Sequence, residues 1–207
     1  MQGLLMGAAK LAIVVGAVAW LVGLALFATA RPGLDSWIFA VPLGAAMAIG
    51  TGVGITTALG RSPFDIALGR VGGSVLGLAG GALIGALVIP SLLTFVASRS
   101  SVAGTLGGVV GVCLFVGTLA FLVGSVVVGI ALLRQPSSKL AGGLVAGGTL
   151  AFIVVLPWAL GVSPTGELLV AQEATEIGVA LAATVGWFLV AARIGTPRTS
   201  PTAIPDL

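Results

Sequence analysis

The sequence lacks the residue types on which most enzymes and metal sites depend. It contains no histidine and no tyrosine, and Cys113 is its single cysteine. Histidine is the commonest general base and the commonest metal ligand, and a lone cysteine cannot form a disulfide or a cysteine metal cluster within one chain. The motifs of serine hydrolases, zinc proteases and P-loop nucleotide-binding proteins are also missing. We therefore predict a protein that is not an enzyme and has no catalytic residues, cofactor or metal site.

Charged residues are scarce as well. They make up 7% of the chain, against 58% hydrophobic residues, whereas a soluble domain carries roughly 25% charged residues. Nine basic and six acidic residues in a chain of 207 cannot cover a globular surface, so lipid must replace water over most of it. The basic residues are scattered, which argues against a nucleic-acid-binding face. The composition predicts an integral membrane protein whose main partner is the lipid bilayer.

Six apolar runs, separated by short polar breaks, divide the chain. We predict helices over residues 11–30, 37–59, 63–97, 104–133, 140–160 and 174–193. Each run is close to or longer than the roughly 20 residues that cross a bilayer, and none alternates as a barrel strand would. Ser62 and Pro63 form a helix-start pattern for the third helix. The sequence thus predicts an all-α bundle of about six transmembrane helices in one domain, residues 1–195, and a cytoplasmic tail, residues 196–207.

The basic residues give the orientation. One set of alternate connections holds Lys10, Arg61, Arg70, Arg134, Lys139, Arg193 and Arg198, and the other holds Arg31 and Arg99. Cytoplasmic loops carry the excess of lysine and arginine. We therefore expect a multi-pass protein of the plasma or inner membrane with both termini in the cytoplasm.

The strongest pattern is a row of glycines in the third helix. Every fourth residue is glycine at Gly69, Gly73, Gly77, Gly81 and Gly85. Gly50 and Gly54 of the second helix have the same spacing, and such rows let transmembrane helices pack closely, as in a glycine zipper. The row either packs helices within one subunit, forms a seam with a second copy or another membrane subunit, or lines a pore. We expect Gly77→Leu or Gly81→Leu to disrupt folding or assembly, and Leu83→Phe, on the opposite face, to be milder.

Two acids are the candidate ion or proton site. Glu173 and Glu176 are three residues apart and share a helix face. If the sixth helix begins at Ser163, they lie near the middle of the membrane, where an ionisable residue is a functional hypothesis by default. If the span begins near Glu173, about 20 residues remain to Arg193, enough to cross, and the acids lie at the outer interface. We favour the interfacial position because burying charge is costly.

Several hydroxyl side chains lie within the apolar runs. We expect them to serve core packing and to hydrogen-bond to carbonyl oxygens of their own helices. They are Thr51, Thr56, Thr57, Ser74, Thr118, Ser125 and Thr184.

Three classes of function remain. The sequence favours an accessory or structural subunit, or a helix-packing partner, of a membrane assembly. The alternative is a small transporter or channel for a small solute or cation that uses Glu173 and Glu176. An intramembrane enzyme is the weakest class, because the acids and hydroxyls would have to perform all of its chemistry.

Overall fold

A computed structural model describes residues 1–29, 37–61, 64, 66–96, 100–161 and 167–194. This part of the chain forms six α-helices and no strand, which confirms the all-α prediction. The helices are α1 (Gln2–Thr29), α2 (Trp37–Ala58), α3 (Ala67–Val96), α4 (Ser100–Leu133), α5 (Lys139–Gly161) and α6 (Glu167–Arg193). A short 3-10 turn, Pro136–Ser138, joins α4 to α5.

The helix boundaries differ from the apolar runs mainly at four starts. Helices α1, α4 and α6 begin at Gln2, Ser100 and Glu167, before the predicted residues 11, 104 and 174, because hydropathy marks only the apolar part of a helix and backbone hydrogen bonding continues into more polar residues. Helix α3 begins at Ala67, four residues after the predicted start at residue 63. Residues 62, 63 and 65, which carry the helix-start pattern, lie outside the described residues.

A glycine closes α2. Gly60 has a φ of 61°, a conformation that glycine adopts without a steric penalty. Its N–H donates to the Thr57 carbonyl at 2.9 Å, and the Arg61 N–H donates to the Thr56 carbonyl at 3.2 Å. This pair of bonds is the Schellman motif, which satisfies carbonyls at a helix end. The motif fixes the backbone of Arg61 at the end of α2.

The six helices form a closed ring. Each packs against its neighbours in sequence, and α6 packs against α1. Neighbouring helices are antiparallel: Gly52 lies against Ala9, whereas Gly16 lies against Ala45 and Ile49.

Aromatic side chains meet inside the ring. The ring centroid of Trp20 in α1 lies 5.4 Å from that of Phe121 in α4. It lies 5.4 Å from that of Phe152 in α5 as well. Trp20 therefore joins helices that are not its neighbours in the ring and fills the space between them.

Large apolar side chains occur outside the ring as well as inside it, and small residues fill many of the buried positions. Large apolar residues point outwards, as in Leu78 (71% exposed), Phe115 (70%) and Leu140 (70%). Many buried positions are alanines: Ala9, Ala17, Ala45, Ala46, Ala79, Ala86, Ala131, Ala141, Ala146, Ala180, Ala183 and Ala191. A water-soluble fold normally buries its large aliphatic residues and exposes no extended apolar surface.

Within the described part of the chain, four helical segments are long and apolar enough to cross a membrane. They are Gln2–Gly23, Val41–Ala58, Ala67–Val88 and Gly107–Leu133. A shorter apolar segment, Ile177–Arg193, forms most of α6.

The antiparallel ring collects basic residues at one end, which we call the basic end. They lie at or near the start of α1, the end of α2, the start of α3, the α4–α5 connection and the end of α6. They are Lys10, Arg61, Arg70, Arg134, Lys139 and Arg193.

Candidate functional site

Glycines bring the backbones of α2 and α3 into direct contact. A Cβ atom built on Gly54 would lie 2.7 Å from the Cα of Gly77. One built on Gly80 would lie 2.6 Å from the backbone nitrogen of Thr51, and one on Gly50 would lie 2.5 Å from the Leu76 carbonyl oxygen. Real Cβ atoms essentially never come closer than 3.0 Å to such atoms. Only glycine therefore fits at these positions with the helices at this separation.

The predicted glycine row only partly coincides with this contact. Gly73 lies against Thr57 and Gly77 against Gly54. At the start of α3, Gly69 lies instead against Phe64 and Ile66.

The far end of the row leaves the contact. Gly81 has nothing within 4 Å of a built Cβ, and Gly85 is half-buried. Four residues overshoot one helical turn by roughly 40°, so a row with fourfold spacing rotates out of the interface. Gly80 follows Gly73 by seven residues and therefore lies on the same face of α3, towards α2. It occupies the contact with α2 where the fourfold spacing predicts Gly81.

An open groove of about 600 Å³ runs beside this contact on the outside of the ring. It is lined by small and aliphatic residues: Thr51, Gly54, Ile55, Ala58, Ser74, Gly77, Leu78, Gly81 and Ile84. The Thr51 hydroxyl oxygen is buried and has no hydrogen-bond partner among the described residues. The groove therefore exposes backbone at Gly81, whereas the Thr51 hydroxyl is enclosed beside Gly80 in the α2–α3 contact.

Most of the hydroxyls that form hydrogen bonds do so within their own helix, as predicted. The Thr56 and Thr57 hydroxyls each donate to the carbonyl four residues earlier, at 2.8 Å. Thr184 differs, because its hydroxyl donates across the α1–α6 contact to the Ala17 carbonyl at 3.2 Å. Ser125 is fully buried, and its hydroxyl has no partner in the described part of the chain.

Glu173 and Glu176 both belong to α6, although their side chains lie outside the described residues. The helix is continuous from Glu167 to Arg193, so both acids lie within one helix. At 1.5 Å per residue, Glu173 and Glu176 stand about 30 and 26 Å along the helix from Arg193. The apolar segment Ile177–Arg193 begins directly after Glu176. Both acids therefore sit at the polar end of α6.

Metal-ligating side chains do not cluster in the described residues: no group of three histidine, cysteine, aspartate or glutamate residues is close enough to hold an ion. No protein-family model matches the chain, and comparison with curated proteins and with solved structures gives no match either. Function is therefore inferred from the residues and their contacts alone.

Proposed function

We propose that the chain is a multi-pass protein of the plasma or inner membrane, with six membrane spans and both termini in the cytoplasm. We further propose that it is a non-catalytic accessory subunit, which packs against a transmembrane helix of another subunit or of a second copy through the α2–α3 groove.

The surface supports the membrane location. The helices have 22 to 34 residues, which corresponds to about 33 to 51 Å against a hydrocarbon core of about 30 Å. The exposed leucine, valine and phenylalanine side chains can be solvated by lipid tails but not by water. The basic end supports a cytoplasmic location for the start of α1 and the end of α6, by the excess of lysine and arginine on that side.

The open groove is the observation that carries the proposed role. Helices associate in lipid through close backbone approach and interhelical hydrogen bonds. The groove offers the first of these, since Gly81 is exposed and a Cβ built on it meets nothing within 4 Å. A helix lying in the groove gains van der Waals contacts along α2 and α3.

Reporter fusions test the topology. A reporter placed after Leu207 and one inserted between residues 161 and 166 are expected to report opposite sides of the membrane. The insertion follows α5, an odd-numbered span, whereas the other fusion follows α6. Reporters on the same side would contradict the six-span topology.

Filling the groove tests the packing role. In Gly81→Leu the new side chain enters open space, so the subunit should fold normally while the partner helix is excluded. The matched control is Gly147→Leu in α5, where a built Cβ also meets nothing within 4 Å. Native gel electrophoresis in mild detergent should show a complex for the wild type and the control, and a free subunit for Gly81→Leu. A complex that survives in Gly81→Leu would contradict the groove as the contact surface.

Transport through Glu173 and Glu176 is the alternative role. The described residues support this transport role less than they support the packing role of the α2–α3 groove. Trp20, Phe121 and Phe152 occupy the middle of the ring, and both acids precede the apolar segment of α6.

A further inference from the structure

A second cavity, of about 520 Å³, opens at the basic end of the ring. It is lined by Gln2, Gly3, Met6, Gly7, Lys10, Arg61 and Ile194. Three parts of the chain meet there: the first turns of α1, the Schellman turn after α2 and the residue that follows α6. Because Gln2, Met6 and Lys10 are spaced by four residues, they lie on one face of α1.

The polar side of this cavity is basic. An Arg61 Nη2 group donates to Gln2 Oε1 at 3.2 Å, across 59 residues of sequence. Lys10 lines the same cavity and is half-buried. Among the described residues, the cavity lining includes two cations and no carboxylate, so an anion there would face net positive charge from these residues.

The cavity also has apolar walls. Met6 is half-buried, and Ile194 is completely buried where α6 meets α1. A basic rim beside apolar side chains matches an amphiphilic anion, with a charged head and an alkyl chain. Basic pockets of this kind on the cytoplasmic side of membrane proteins bind anionic lipid headgroups.

We propose that this cavity binds a phosphate group, carried either by an anionic phospholipid or by a soluble phosphate ester. The Arg61 guanidinium presents several N–H donors in one plane, which suits two phosphate oxygens, and Lys10 adds a compact positive charge. Gln2 and Arg61 are both exposed, and the 3.2 Å bond between them places the guanidinium at the mouth of the cavity. The phospholipid source rests on the proposed membrane location, whereas the soluble source does not.

Thermal unfolding of the purified full chain in a non-ionic detergent tests the site. The probes are phosphatidylglycerol, phosphatidylcholine, glycerol 1-phosphate and inorganic phosphate, each titrated separately. Phosphatidylglycerol is expected to raise the Tm in a saturable way and phosphatidylcholine to leave it unchanged. The double variant K10Q/R61Q should bind phosphatidylglycerol more weakly, by about fivefold for each positive charge removed.

The control is R134Q/K139Q, which removes two exposed positive charges from the same end outside the cavity. It should bind phosphatidylglycerol like the wild type. An equal loss in both double variants, or an equal Tm shift from phosphatidylcholine, would overturn the site. A shift from glycerol 1-phosphate or inorganic phosphate assigns the soluble source, and a shift from phosphatidylglycerol alone assigns the lipid. A Tm that none of the probes changes would also overturn it.

The wild-type protein provides a second measurement that does not depend on how K10Q/R61Q folds. Raising the salt concentration should weaken phosphatidylglycerol binding, because charge contacts at a surface cavity are screened. Binding that is insensitive to salt would overturn the charge-based site. The phosphate titrations need no bilayer, so they remain interpretable if the reporter fusions contradict the membrane topology.

Discussion

The glycines at the two contacts of α3 differ: those at the α2 contact lie in both α2 and α3, whereas Gly117 and Gly124 at the α4 contact lie in α4. Towards α2, backbone meets backbone, as where Gly77 lies against Gly54. Towards α4, glycine receives a large side chain. A Cβ built on Gly117 would lie 2.8 Å from the Cγ of Leu83, and one on Gly124 would lie 2.8 Å from the Cγ of Leu76.

The difference lies in what must move when a methyl group is added. On the α2 side the obstructing atoms belong mainly to the backbone, so the two helices must separate. On the α4 side the nearest obstructing atoms at Gly117 and Gly124 belong to leucine side chains, which can change rotamer at a smaller cost, whereas at Gly72 the Val128 backbone nitrogen and Cγ2 both lie at 2.9 Å. Glycine content alone therefore does not predict tolerance to substitution; the type of atom opposite each glycine does.

Gly80→Ala should have the largest effect. Its Cβ would lie 2.6 Å from the Thr51 backbone nitrogen and 2.7 Å from the Thr51 hydroxyl. We expect a loss of about 3 kcal/mol in unfolding free energy, at the upper end of overpacking costs. The neighbouring Gly81→Ala should stay within about 1 kcal/mol of wild type. Reversible unfolding in detergent measures both, and equal losses would contradict the assignment of Gly80 to the interface.

Gly117→Ala should have an intermediate effect. The new methyl group would approach Cγ and Cδ2 of Leu83, with the Ala79 carbonyl next at 3.4 Å. Because the leucine can adjust, we expect a loss of about 1 to 2 kcal/mol in the same unfolding measurement. A loss as large as that of Gly80→Ala would remove the distinction between the two sides of α3.

Thr184→Val should have a smaller effect. It removes the hydrogen bond between α6 and α1 while keeping the shape of the side chain. Interhelical hydrogen bonds in membrane proteins contribute about 0.6 kcal/mol on average, and we expect a loss near this value by unfolding in detergent. Thr56→Val, which removes a bond within α2, is the matched control and should lose less. A larger loss in the control would contradict the role of Thr184 in holding α6 to α1.

The double variant Glu173→Gln and Glu176→Gln should have the smallest effect. If both acids lie at the outer interface, the unfolding free energy should change by less than about 0.5 kcal/mol. Proton and sodium flux into proteoliposomes should match that of wild type. A wild-type flux that disappears in the double variant would replace the packing role with the transport alternative.

The all-helical architecture of the described residues was predictable from the sequence. The six apolar runs, separated by short breaks such as residues 134–139, favour an antiparallel bundle of helices. In such a bundle, basic residues in every second connection lie at the same end. The contact between α6 and α1 was not predicted, because no local sequence pattern encodes a contact between distant parts of the chain. Thr184 and Ala17, which are hydrogen-bonded across this contact, are 167 residues apart in sequence.

The face of each helix was harder to predict. The sequence did not identify Gly80 as an interface residue, because the fourfold glycine spacing assigned Gly81 to the α2 contact. Residues at i, i+4 and i+7 share a helix face better than those at i, i+4 and i+8, which favours Gly80 over Gly81. Leu83→Phe was predicted to be milder than Gly77→Leu or Gly81→Leu, because Leu83 lies on the face opposite the glycine row, but that face is buried too, with Leu83 against Gly117. Apolar residues alone do not separate a lipid-facing surface from a buried one, since both are apolar.

The ring also makes the order of the helices cyclic. Every helix has two antiparallel neighbours, so none lies at an edge, and the end of α6 meets the start of α1 at the cavity that Ile194 and Gln2 share. The same six pairings are available to a chain that starts at α5, continues from α6 into α1 through a flexible linker, and ends at α4. Circular permutation at the Pro136–Ser138 turn is therefore expected to keep the same fold, because the contacts between helices do not depend on which helix comes first in the chain.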